Sequence, residues 1–525
     1  MNPSRDKTTV DRGSGRSRSL WMTNVELPAF RPLDRDLDAD VCVIGAGIAG
    51  LSVAYALAKA GGSVVVLEDG ATIGAGETAR TTAHLSNAFD DRYVKVARLH
   101  GDEAARLTAE SHTQAIDSVE EIARRENIEC GFERLDGFLF VPPGETSELL
   151  ERELEACRAA GLADVAWAER APLDGFDTGR CLRFPRQAQF HPLRYLAGLA
   201  QAVVRHGGQV FTGTHAEGIE DGKVTTKGGR AVRARDVVVA TNAPIQSMLA
   251  LPVKQYPYRT YVIGALVPPG TVTRALYWDT LDPYHYVRVH EEAGETWLVV
   301  GGEDHKTGQD GDEGEDRHSR LAHWARERFP SMGEVGFTWS GQVMEPADAL
   351  AFIGKYPREE HVWIVTGDSG NGMTHGALAG LLLGALVQGR DHPWARVYDP
   401  GRLSLRAGLE FVRENVNMAA QYAKWLTTGD YPDESQVPVG SGGVIREGLH
   451  KVAVHRDKEG RVHRLSAVCP HLGAIVVWNR EEGTWDCPAH GSRFDARGGV
   501  INGPANGDLP PADEPAGAEE GRRRG

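Results

Sequence analysis

Cysteine is scarce in this chain, and long hydrophobic runs are missing. Six cysteines are spread over 525 residues, so the sequence does not predict the disulfide framework of a small secreted domain. No stretch offers the roughly 18 uninterrupted apolar residues that a transmembrane helix needs. The first 30 residues are polar and lack the apolar centre of a signal peptide. We therefore expect a cytoplasmic protein that is not inserted into a membrane.

Basic residues are also in the minority. The chain has 58 lysines and arginines against 73 aspartates and glutamates, which gives a formal net charge of -15. Such a surface would repel a phosphate backbone, so we do not expect nucleic acid as a partner. Hydrophobic residues make up 41% and charged residues 25%, which is typical of globular proteins. The length predicts two or three folding units.

Residue patterns divide the chain into an α/β region and a smaller C-terminal region. Strands are predicted at 40–44, 63–68, 137–141, 236–240 and 362–366. Helices are predicted at about 48–60, 101–126, 145–160, 374–388 and 411–426. Short strands and Gly/Pro turns predict a small all-β unit at 433–510. Residues 1–35 are expected to form a flexible arm, and residues 511–525 a disordered tail.

The segment at 45–50 carries a nucleotide-binding pattern. It reads G-x-G-x-x-G, follows an apolar strand and opens a helix, which is the context that this motif requires. Gly45 permits the tight turn, Gly47 lets the backbone approach a pyrophosphate, and Gly50 lets helix and strand pack closely. The helix N-terminus then faces the phosphates with free N–H groups. The residues of the motif are Gly45, Ala46, Gly47, Ile48, Ala49 and Gly50.

Glu68 ends the next predicted strand, 18 residues beyond Gly50. Its carboxylate can accept hydrogen bonds from ribose hydroxyls and would repel a 2′-phosphate, which argues against NADP. Strand, motif, helix, strand and acid together predict a bound dinucleotide. The alternative is a glycine-rich turn in a βαβ unit that binds no nucleotide.

The loop at 74–82 favours FAD over NAD. It is rich in small and hydroxyl residues, and such a loop can lie against the pyrophosphate and the flavin. Here the chain resembles the D-amino acid oxidase/glycine oxidase family of FAD enzymes, which has the motif, the acid and a small-residue loop in this order. Three later stretches extend the resemblance over roughly 38–400, namely 189–193, 240–243 and 366–374.

The resemblance implies an α/β FAD-binding Rossmann-type domain interleaved with an α+β substrate domain, together spanning 36–426. The FAD-binding segments are expected at about 38–100, 186–250 and 336–400, and the substrate domain at about 101–185 and 251–335. Besides the motif and Glu68, the residues expected to bind FAD are Gly76, Thr78, Arg80, Thr81, Thr82, Ala216, Ala240, Thr241, Asn242, Gly370, Asn371, Gly372, Met373 and Thr374.

The chain departs from this family at two positions. Sarcosine oxidase-like members carry a lysine in the last turn for the substrate carboxylate, and this chain has Thr374 there. Their covalent cysteine has no counterpart, because no cysteine lies between Cys181 and Cys469. We therefore expect non-covalent FAD. Some relatives attach flavin through a histidine, but the position of His84 does not match theirs, and we expect an ordinary hydrogen-bonded histidine.

Two loops near the C-terminus each combine one cysteine and one histidine. Cys469 and His471 lie in the first loop, and Cys487 and His490 lie in the second. Two thiolates on one iron and two imidazoles on the other make a Rieske 2Fe–2S centre. The same ligand types also build zinc sites, but those usually show paired C-x2-C or H-x3-H spacing.

The surroundings of these loops resemble the Rieske family, so the small all-β unit is expected to be a Rieske domain. The resemblance is carried by 491–492, 494–495 and the proline loop at 503–505. Respiratory Rieske proteins have an additional cysteine in each loop, where this chain has Ala474 and Ala489. Ser492 can donate to cluster sulfur, but Phe494 stands where those proteins offer a tyrosine hydroxyl. Because fewer donors stabilise the reduced cluster less, we expect a reduction potential below theirs.

Four residues are candidates for catalysis. Tyr286 and Arg288 lie on a predicted substrate-domain strand, and an aromatic wall with an arginine suits a small carboxylate or amine. His305 and Lys306 lie in a loop that gathers acid–base groups. The alternatives are packing aromatics with a surface arginine, and a solvated charged loop. Further candidates for lining the flavin edge are Trp339, Gln342 and Asp348.

These features predict an FAD-dependent oxidoreductase that oxidises the C–N bond of a small amine or amino acid. Electrons are expected to pass between FAD and the Rieske cluster, with an external one-electron carrier as partner. One alternative reverses the flow, so that the cluster feeds the flavin of a reductase or hydroxylase. Another alternative is a flavoprotein whose cluster is a redox sensor or a structural element.

Overall fold

The computed structural model describes residues 17–142, 144–244, 254–309, 316–402 and 405–512. The strands are β1 (Leu37–Ile44), β2 (Val64–Leu67), β3 (His84–Leu85), β4 (Glu133–Phe140), β5 (Ala166–Ala168), β6 (Cys181–Gln189), β7 (Gln209–Phe211), β8 (Ala216–Glu220), β9 (Lys223–Thr226), β10 (Ala231–Val239), β11 (Gln255–Val267), β12 (Leu276–Asp279), β13 (Tyr286–Glu292), β14 (Glu295–Lys306), β15 (Val335–Pro346), β16 (Phe352–Lys355), β17 (Val362–Thr366), β18 (Ser441–Glu447), β19 (His450–Arg456), β20 (Val462–Ser466), β21 (Val477–Asn479), β22 (Thr484–Asp486), β23 (Arg493–Phe494) and β24 (Val500–Asn502).

The helices connect and cover these strands. The α-helices are α1 (Ile48–Lys59), α2 (Tyr93–His100), α3 (Asp102–Arg125), α4 (Glu148–Ala159), α5 (Pro192–Arg205), α6 (Arg317–Arg328), α7 (Gly372–Leu386), α8 (Ala395–Tyr398) and α9 (Gly408–Gln421). Short 3-10 helices lie at Leu20–Met22, Glu77–Arg80, Leu405–Ala407, Tyr422–Leu426 and Glu434–Gln436.

The first sheet has the order β16-β17-β10-β1-β2-β7, with β9 and β8 attached to β10. Strands β17, β10, β1, β2 and β7 run parallel. All residues of β2 and β17 are buried, as expected of parallel strands covered on both faces. Helix α7 is buried nearly all round, and its small residues let α1 approach closely. A Cβ on Gly380 would lie 2.9 Å from the backbone of Ser52 in α1.

The second sheet has the order β15-β11-β14-β13-β12-β4-β6-β3, with β5 on β6. It is mostly antiparallel, with a parallel pair between β12 and β4. Its apolar face packs with α6 around buried side chains such as Tyr277, Val287 and Leu321. Strands β3 and β15 lie in segments that the sequence resemblance places in the FAD-binding domain. The residue limits of the domains stay a prediction.

The C-terminal region contains two small antiparallel sheets, β18-β19-β20 and β21-β22-β23-β24. One cysteine–histidine loop lies between β20 and β21, and the other between β22 and β23. Helix α9 and the 3-10 helix Tyr422–Leu426 precede these sheets and pack against them through Met418 and Trp425. The predicted fold class is confirmed: an interleaved α/β and α+β region is followed by a small all-β region.

The flexible arm predicted for 1–35 is wrong from residue 17 onward. The side chains of Leu20 and Trp21 are buried in the main core. Ser19 Oγ donates to the carbonyl of Ala79, and the Trp21 indole N–H donates to the carbonyl of Thr81. The remaining part of the predicted arm, and 513–525 of the predicted tail, lie outside the described residues. In the described ranges, every helix is too short or too polar to cross a bilayer.

Candidate cofactor sites and substrate cavity

A long cavity opens between the first two sheets, and the glycine motif forms one end of it. Gly45 follows β1 with a φ of 103°, and a Cβ there would lie 2.4 Å from the carbonyl oxygen of Ala240. A Cβ on Gly50 would lie 1.9 Å from the carbonyl oxygen of Gly45. The turn and the contact between α1 and the sheet therefore require glycine at both positions. This is the strand–turn–helix geometry that binds a pyrophosphate at a helix N-terminus.

Glu68 lies beside this turn at the end of β2. Its carboxylate accepts the N–H of Ala46 at 2.7 Å and the N–H of Gly70 at 2.9 Å. Burial raises the pKa of Glu68 to about 7, although both N–H donors oppose this shift. Thr78 Oγ1 accepts the N–H of Ile48 at 3.1 Å, so the small-residue loop is joined to the start of α1. These contacts place an acid at the position where ribose hydroxyls would bind.

Most of the residues predicted to bind FAD line this one cavity. Ala46 and Gly50 support the turn instead, and Thr374 Oγ1 accepts the N–H of Ser86 at 3.2 Å behind the cavity wall. The predicted residues that line the cavity are Gly45, Gly47, Ile48, Ala49, Glu68, Gly76, Thr78, Arg80, Thr81, Thr82, Ala216, Ala240, Thr241, Asn242, Gly370, Asn371, Gly372 and Met373. Their individual roles stay predictions. The glycine turn, the acid and the two helix N-termini in this wall fit a dinucleotide.

The start of α7 forms another part of the wall. Asn371 and Gly372 open this helix, so its N-terminal dipole end faces the cavity. His375 also lines the cavity, and sequence reasoning missed it. Its Nδ1 lies 2.9 Å from the carbonyl of Asp368, and its Nε2 lies 3.2 Å from the Nε2 of His112. Burial lowers the pKa of His375 to about 4, so this ring is neutral near pH 7.

Aromatic and acidic side chains surround the other end of the cavity. Tyr286 lies in the wall, as predicted, and its hydroxyl contacts Thr260 Oγ1 at 2.5 Å. The hydroxyl of Tyr284 donates to Asp90 Oδ2 at 2.6 Å. Asp304 completes this group of wall residues. Tyr284 and Asp304 lie in stretches that the sequence pointed to, but among these residues only Tyr286 was a catalytic candidate.

The other three predicted catalytic residues do not reach the cavity. The guanidinium of Arg288 donates to the carbonyls of Thr82 and Ala83 at 3.0 and 2.8 Å. It therefore holds the end of the small-residue loop at 74–83, which we call the flavin-side loop. Lys306 forms an ion pair with Glu414 of α9. The ring of His305 stacks on Tyr261 at 5.6 Å, on the opposite face of β14 from Asp304. None of the three lines this cavity, and their catalytic roles stay predictions.

The prediction for the flavin edge is partly corrected as well. Gln342 lines the cavity. Trp339 instead donates its indole N–H to the carbonyl of Arg80 at 2.8 Å. Asp348 forms a buried ion pair with Arg402 at 2.8 Å. Both side chains stabilise the surroundings of the cavity rather than its wall.

His84 lies in the wall and is hydrogen-bonded through both ring nitrogens. Its Nδ1 lies 2.9 Å from Thr82 Oγ1, and its Nε2 lies 3.4 Å from the carbonyl of Val287. Burial, with help from the nearby Arg288 guanidinium, lowers the pKa of His84 to about 3. This arrangement supports the interpretation of His84 as a neutral, hydrogen-bonded histidine. Non-covalent attachment of the flavin stays a prediction.

The C-terminal region also contributes to the cavity wall, which the sequence did not reveal. The contributing residues lie in β24 and in the proline loop, at 500–503 and 505–506. Asn506 Nδ2 donates to the carbonyls of Ala216 and Glu217 at 3.1 and 2.8 Å. Asn502 Nδ2 donates to Glu77 Oε1 at 2.7 Å. The proline loop therefore covers the part of the cavity next to Glu68.

Replacing Asn506 with alanine is expected to weaken FAD binding. The change removes two hydrogen bonds that close the proline loop over the cavity, a loss of about 1 kcal/mol. The dissociation constant of FAD should then rise about fivefold, as measured by flavin fluorescence during reconstitution of the apoprotein. The matched control is Lys227→Met, which removes only the exposed ion pair with Asp508 at 3.2 Å. Equal affinity of Asn506→Ala and wild type would show that the loop does not retain the cofactor.

The four predicted metal ligands lie together between β20 and β23. The rings of His471 and His490 are 4.9 Å apart and nearly perpendicular. Their Nδ1 atoms are buried and have no hydrogen-bond partner in the described ranges. Cys469 and Cys487 are buried free cysteines. The Cys487 thiol, followed by the N–H of His471 and the hydroxyl of Ser492, lowers the pKa of Cys469. Two thiols and two unpaired imidazole nitrogens fit the ligands of a Rieske cluster.

The spacing of these ligands argues against a single zinc ion. Zn–S and Zn–N bonds of about 2.3 Å and about 2.1 Å would bring all four ligand atoms within about 4.6 Å of one another. Across the residues that are described, the only group of three or more such side chains with ligand atoms within 4.8 Å is Asp316, His318 and Glu481. This wider spacing agrees with ligands that are divided between two irons.

Neighbouring segments hold both cluster loops. The Trp425 indole N–H donates to the carbonyl of Gly473 at 2.9 Å, and the Tyr422 hydroxyl donates to the carbonyl of Leu472 at 2.9 Å. Ser492 Oγ accepts the N–H of Ala505 at 3.0 Å. This last contact connects the second cluster loop to the proline loop that lines the cavity.

Gln342 connects the cavity wall directly to the second cluster loop. Its Nε2 donates to the carbonyl of Gly491 at 3.0 Å, and Gly491 follows His490 in the chain. A Cβ on Gly491 would lie 2.4 Å from Pro257 of β11, so the loop lies directly against the second sheet. His490 itself is buried, with 5% of its surface exposed. One side chain therefore separates the cavity from the loop that carries His490.

Comparison with known proteins agrees with this geometry. The model of the FAD dependent oxidoreductase family matches residues 40–386, and the model of the Rieske [2Fe-2S] domain matches residues 430–512. A protein of Bacillus subtilis (strain 168) that is named as a Rieske 2Fe-2S iron-sulfur protein, YhfW, is 32% identical over 93% of this chain and 96% of its own length. Gamma-glutamylputrescine oxidoreductase of Escherichia coli (strain K12) is 26% identical over 69% of this chain and 86% of its own length. The crystal structure of glycine oxidase from Geobacillus kaustophilus has a TM-score of 0.59 at 20% identity and covers 70% of this chain and 99% of that one.

Proposed function

The chain belongs to the FAD dependent oxidoreductase family and carries a Rieske 2Fe–2S domain, and from this premise we propose that it oxidises the C–N bond of a small amine or amino acid and passes the electrons from FAD to the cluster. An external one-electron carrier then accepts them. The relatives support the substrate class, because one curated relative is named as a gamma-glutamylputrescine oxidoreductase and one structural neighbour as a glycine oxidase.

The residues of the long cavity fit FAD. The turn at Gly45 and the N-terminus of α1 would hold the pyrophosphate, and Glu68 would hold the ribose. The N-terminus of α7 would lie beside the flavin and favour negative charge there. When bound, FAD supplies a two-electron acceptor and the Rieske cluster supplies a one-electron carrier. The protein contributes the positions of both centres and a wall of aromatic and acidic side chains around the reacting carbon.

The observation that carries the electron relay is the contact between Gln342 and Gly491. Gln342 lies in the wall of the cavity, and Gly491 is adjacent to His490. A buried and well-packed contact of this kind shortens the path between two redox centres and keeps water out of it. Because the proline loop also lines the cavity, the Rieske domain is part of the cofactor site rather than a separate module.

One anaerobic experiment tests the proposal. Protein loaded with FAD and iron is mixed with a panel of amines and amino acids, while flavin absorbance and the electron paramagnetic resonance of the cluster are followed. We expect at least one amine to bleach the flavin and the signal of the reduced Rieske cluster to follow. Cluster reduction only by an added electron donor would instead support the reversed flow. Bleaching without any cluster signal would support a sensing or structural cluster.

A further inference from the structure

The substrate end of the cavity is strongly acidic. Asp90 and Asp304 line the wall near the rings of Tyr284 and Tyr286, and Asp368 lines the same cavity beside the start of α7. The two tyrosine rings lie with their centroids 5.4 Å apart, and Trp278 lines the wall beside them. Asp304 is the acid best placed to meet a ligand. Its Oδ1 atom is buried and has no hydrogen-bond partner in the described parts of the chain.

Positive charge is nearly missing from the same wall. Arg80 is the only lysine or arginine among the described residues that line the cavity. Its guanidinium donates to Ser17 Oγ at 2.8 Å and to the carbonyl of Ser340 at 3.1 Å, and it lies 3.9 Å from Glu482. These partners belong to the contact with the Rieske domain. Arg80 is therefore directed away from the acidic end.

The histidines of the wall do not supply the missing charge. Burial lowers the pKa of His84 to about 3 and that of His375 to about 4, so both are neutral near pH 7. His215 lies beside Asp69, where its Nδ1 is 3.3 Å from the carboxylate, next to Glu68 at the nucleotide end. A substrate carboxylate at the acidic end would thus be buried beside other carboxyl groups and without a counter-ion, which is costly.

We propose that the substrate is a cationic amine without a carboxylate near its reacting carbon, and that Asp304 and Asp90 bind its ammonium group between the aromatic rings. A carboxylate and an aromatic face are the two groups that most favour an organic cation in a desolvated site. This inference rests on the proposed amine oxidation and narrows its substrate class. It excludes glycine and other α-amino acids as preferred substrates.

The ionisation of Asp304 should make binding depend on pH. Burial raises the pKa of Asp304 to about 7, opposed by the hydroxyl of Thr260. Other groups that face this acid from neighbouring elements are Asp90, His285, Arg317, Tyr284 and Tyr286. Only the ionised carboxylate attracts a cation, so affinity should increase as the pH rises through about 7.

Binding of charged probes to the FAD-loaded protein tests this inference without turnover. Tetramethylammonium, which cannot lose a proton from nitrogen, and acetate are titrated separately, and the change in flavin absorbance gives each dissociation constant. We expect tetramethylammonium to bind and acetate to cause no change. Asp304→Asn should weaken tetramethylammonium binding at least tenfold, and Asp304→Glu should restore part of it. Asp136→Asn is the matched control, because it removes one partly exposed acid that pairs with Arg183 and does not line the cavity.

The possible results distinguish a failure of the cationic binding site from a failure of the proposed oxidation. Tighter binding of acetate than of tetramethylammonium would overturn the inference, and so would an unchanged constant in Asp304→Asn with wild-type flavin content. If tetramethylammonium binds as expected but no amine in the panel bleaches the flavin, the cationic site stands and the proposed oxidation fails. If amines without a carboxylate bleach the flavin and α-amino acids do not, both statements hold.

Discussion

Replacing Glu482 with glutamine is expected to destabilise the folded protein by about 3–5 kcal/mol, because it leaves buried arginines without their counter-ion. Glu482 belongs to the Rieske domain and is 1% exposed. Its carboxylate lies 3.9 Å from the guanidinium of Arg80 and 3.7 Å from that of Arg259. Ser17 Oγ donates to it at 2.7 Å. The side chain therefore joins the N-terminal segment, the flavin-side loop and the second sheet to the Rieske domain.

The same carboxylate should give the protein a distinct acid sensitivity. Burial opposes its ionisation, but Arg80, Arg259 and Arg493 outweigh burial and lower the pKa of Glu482 to about 2. A carboxylate with a lowered pKa stabilises the fold above its usual pKa, and this stabilisation is lost as the pH falls towards 2. The shift corresponds to about 3 kcal/mol. The difference in stability between wild type and Glu482→Gln should accordingly shrink between about pH 4.5 and about pH 2.

Denaturant unfolding followed by tryptophan fluorescence measures this effect. Glu481→Gln is the matched control, because Glu481 is the preceding residue and its partly exposed side chain contacts His318 at 3.5 Å. We expect the control to cost less than about 1 kcal/mol. If Glu482→Gln unfolded at the same denaturant concentration as Glu481→Gln, the buried network would not hold the two regions together.

Replacing Cys487 with serine is expected to abolish the Rieske cluster and the transfer of electrons to a one-electron acceptor. Serine does not supply the thiolate that iron–sulfur clusters require, and one missing ligand exposes the iron to water. Iron content and the electron paramagnetic resonance signal should be lost. With FAD in excess, the substrate should still bleach the flavin, because the substrate transfers its electrons to FAD and does not contact the cluster. Steady-state turnover with the one-electron acceptor should fall at least a hundredfold.

Cys181→Ser provides the control for a lost thiol. Cys181 is buried in the second sheet and lies far along the chain from the cluster loops. We expect this variant to keep its iron and its turnover. Full turnover of Cys487→Ser with the one-electron acceptor would mean that electrons leave the flavin without passing through the cluster, which would contradict the proposed relay.

Local sequence patterns predicted both cofactor sites because their geometry is local. The turn at Gly45 and the packing at Gly50 are set within a single strand–turn–helix unit. The cluster ligands Cys469 and His471 are two residues apart in one loop, so their pairing was visible before any fold was known. Glu68 was also predictable, since the strand after such a unit ends beside the turn.

Strand faces were harder to predict at the substrate end. The register between β11 and β14 shifts between Arg259 and Tyr261, which is a bulge-type irregularity. Such a shift changes which residues face the cavity, so Asp304 lines the wall and His305 does not. By strand alternation, Arg288 lies on the same face of β13 as Tyr286. At Arg288, however, this face is covered by the loop at 82–83. Neither fact can be read from the order of residues.

By itself, the sequence determined the two cofactors and the fold class and predicted the residues of each site, because these depend on residues that are neighbours in the chain. The tertiary structure alone decided that the Rieske domain contributes to the wall of the long cavity and that Asp90 and Asp304 line the same wall. Glu482 and Arg80 are 402 positions apart in the chain, and Asp90 and Asp304 are likewise distant. Their meeting depends on how whole sheets and loops pack, and packing between distant segments leaves no periodic signal in a single sequence.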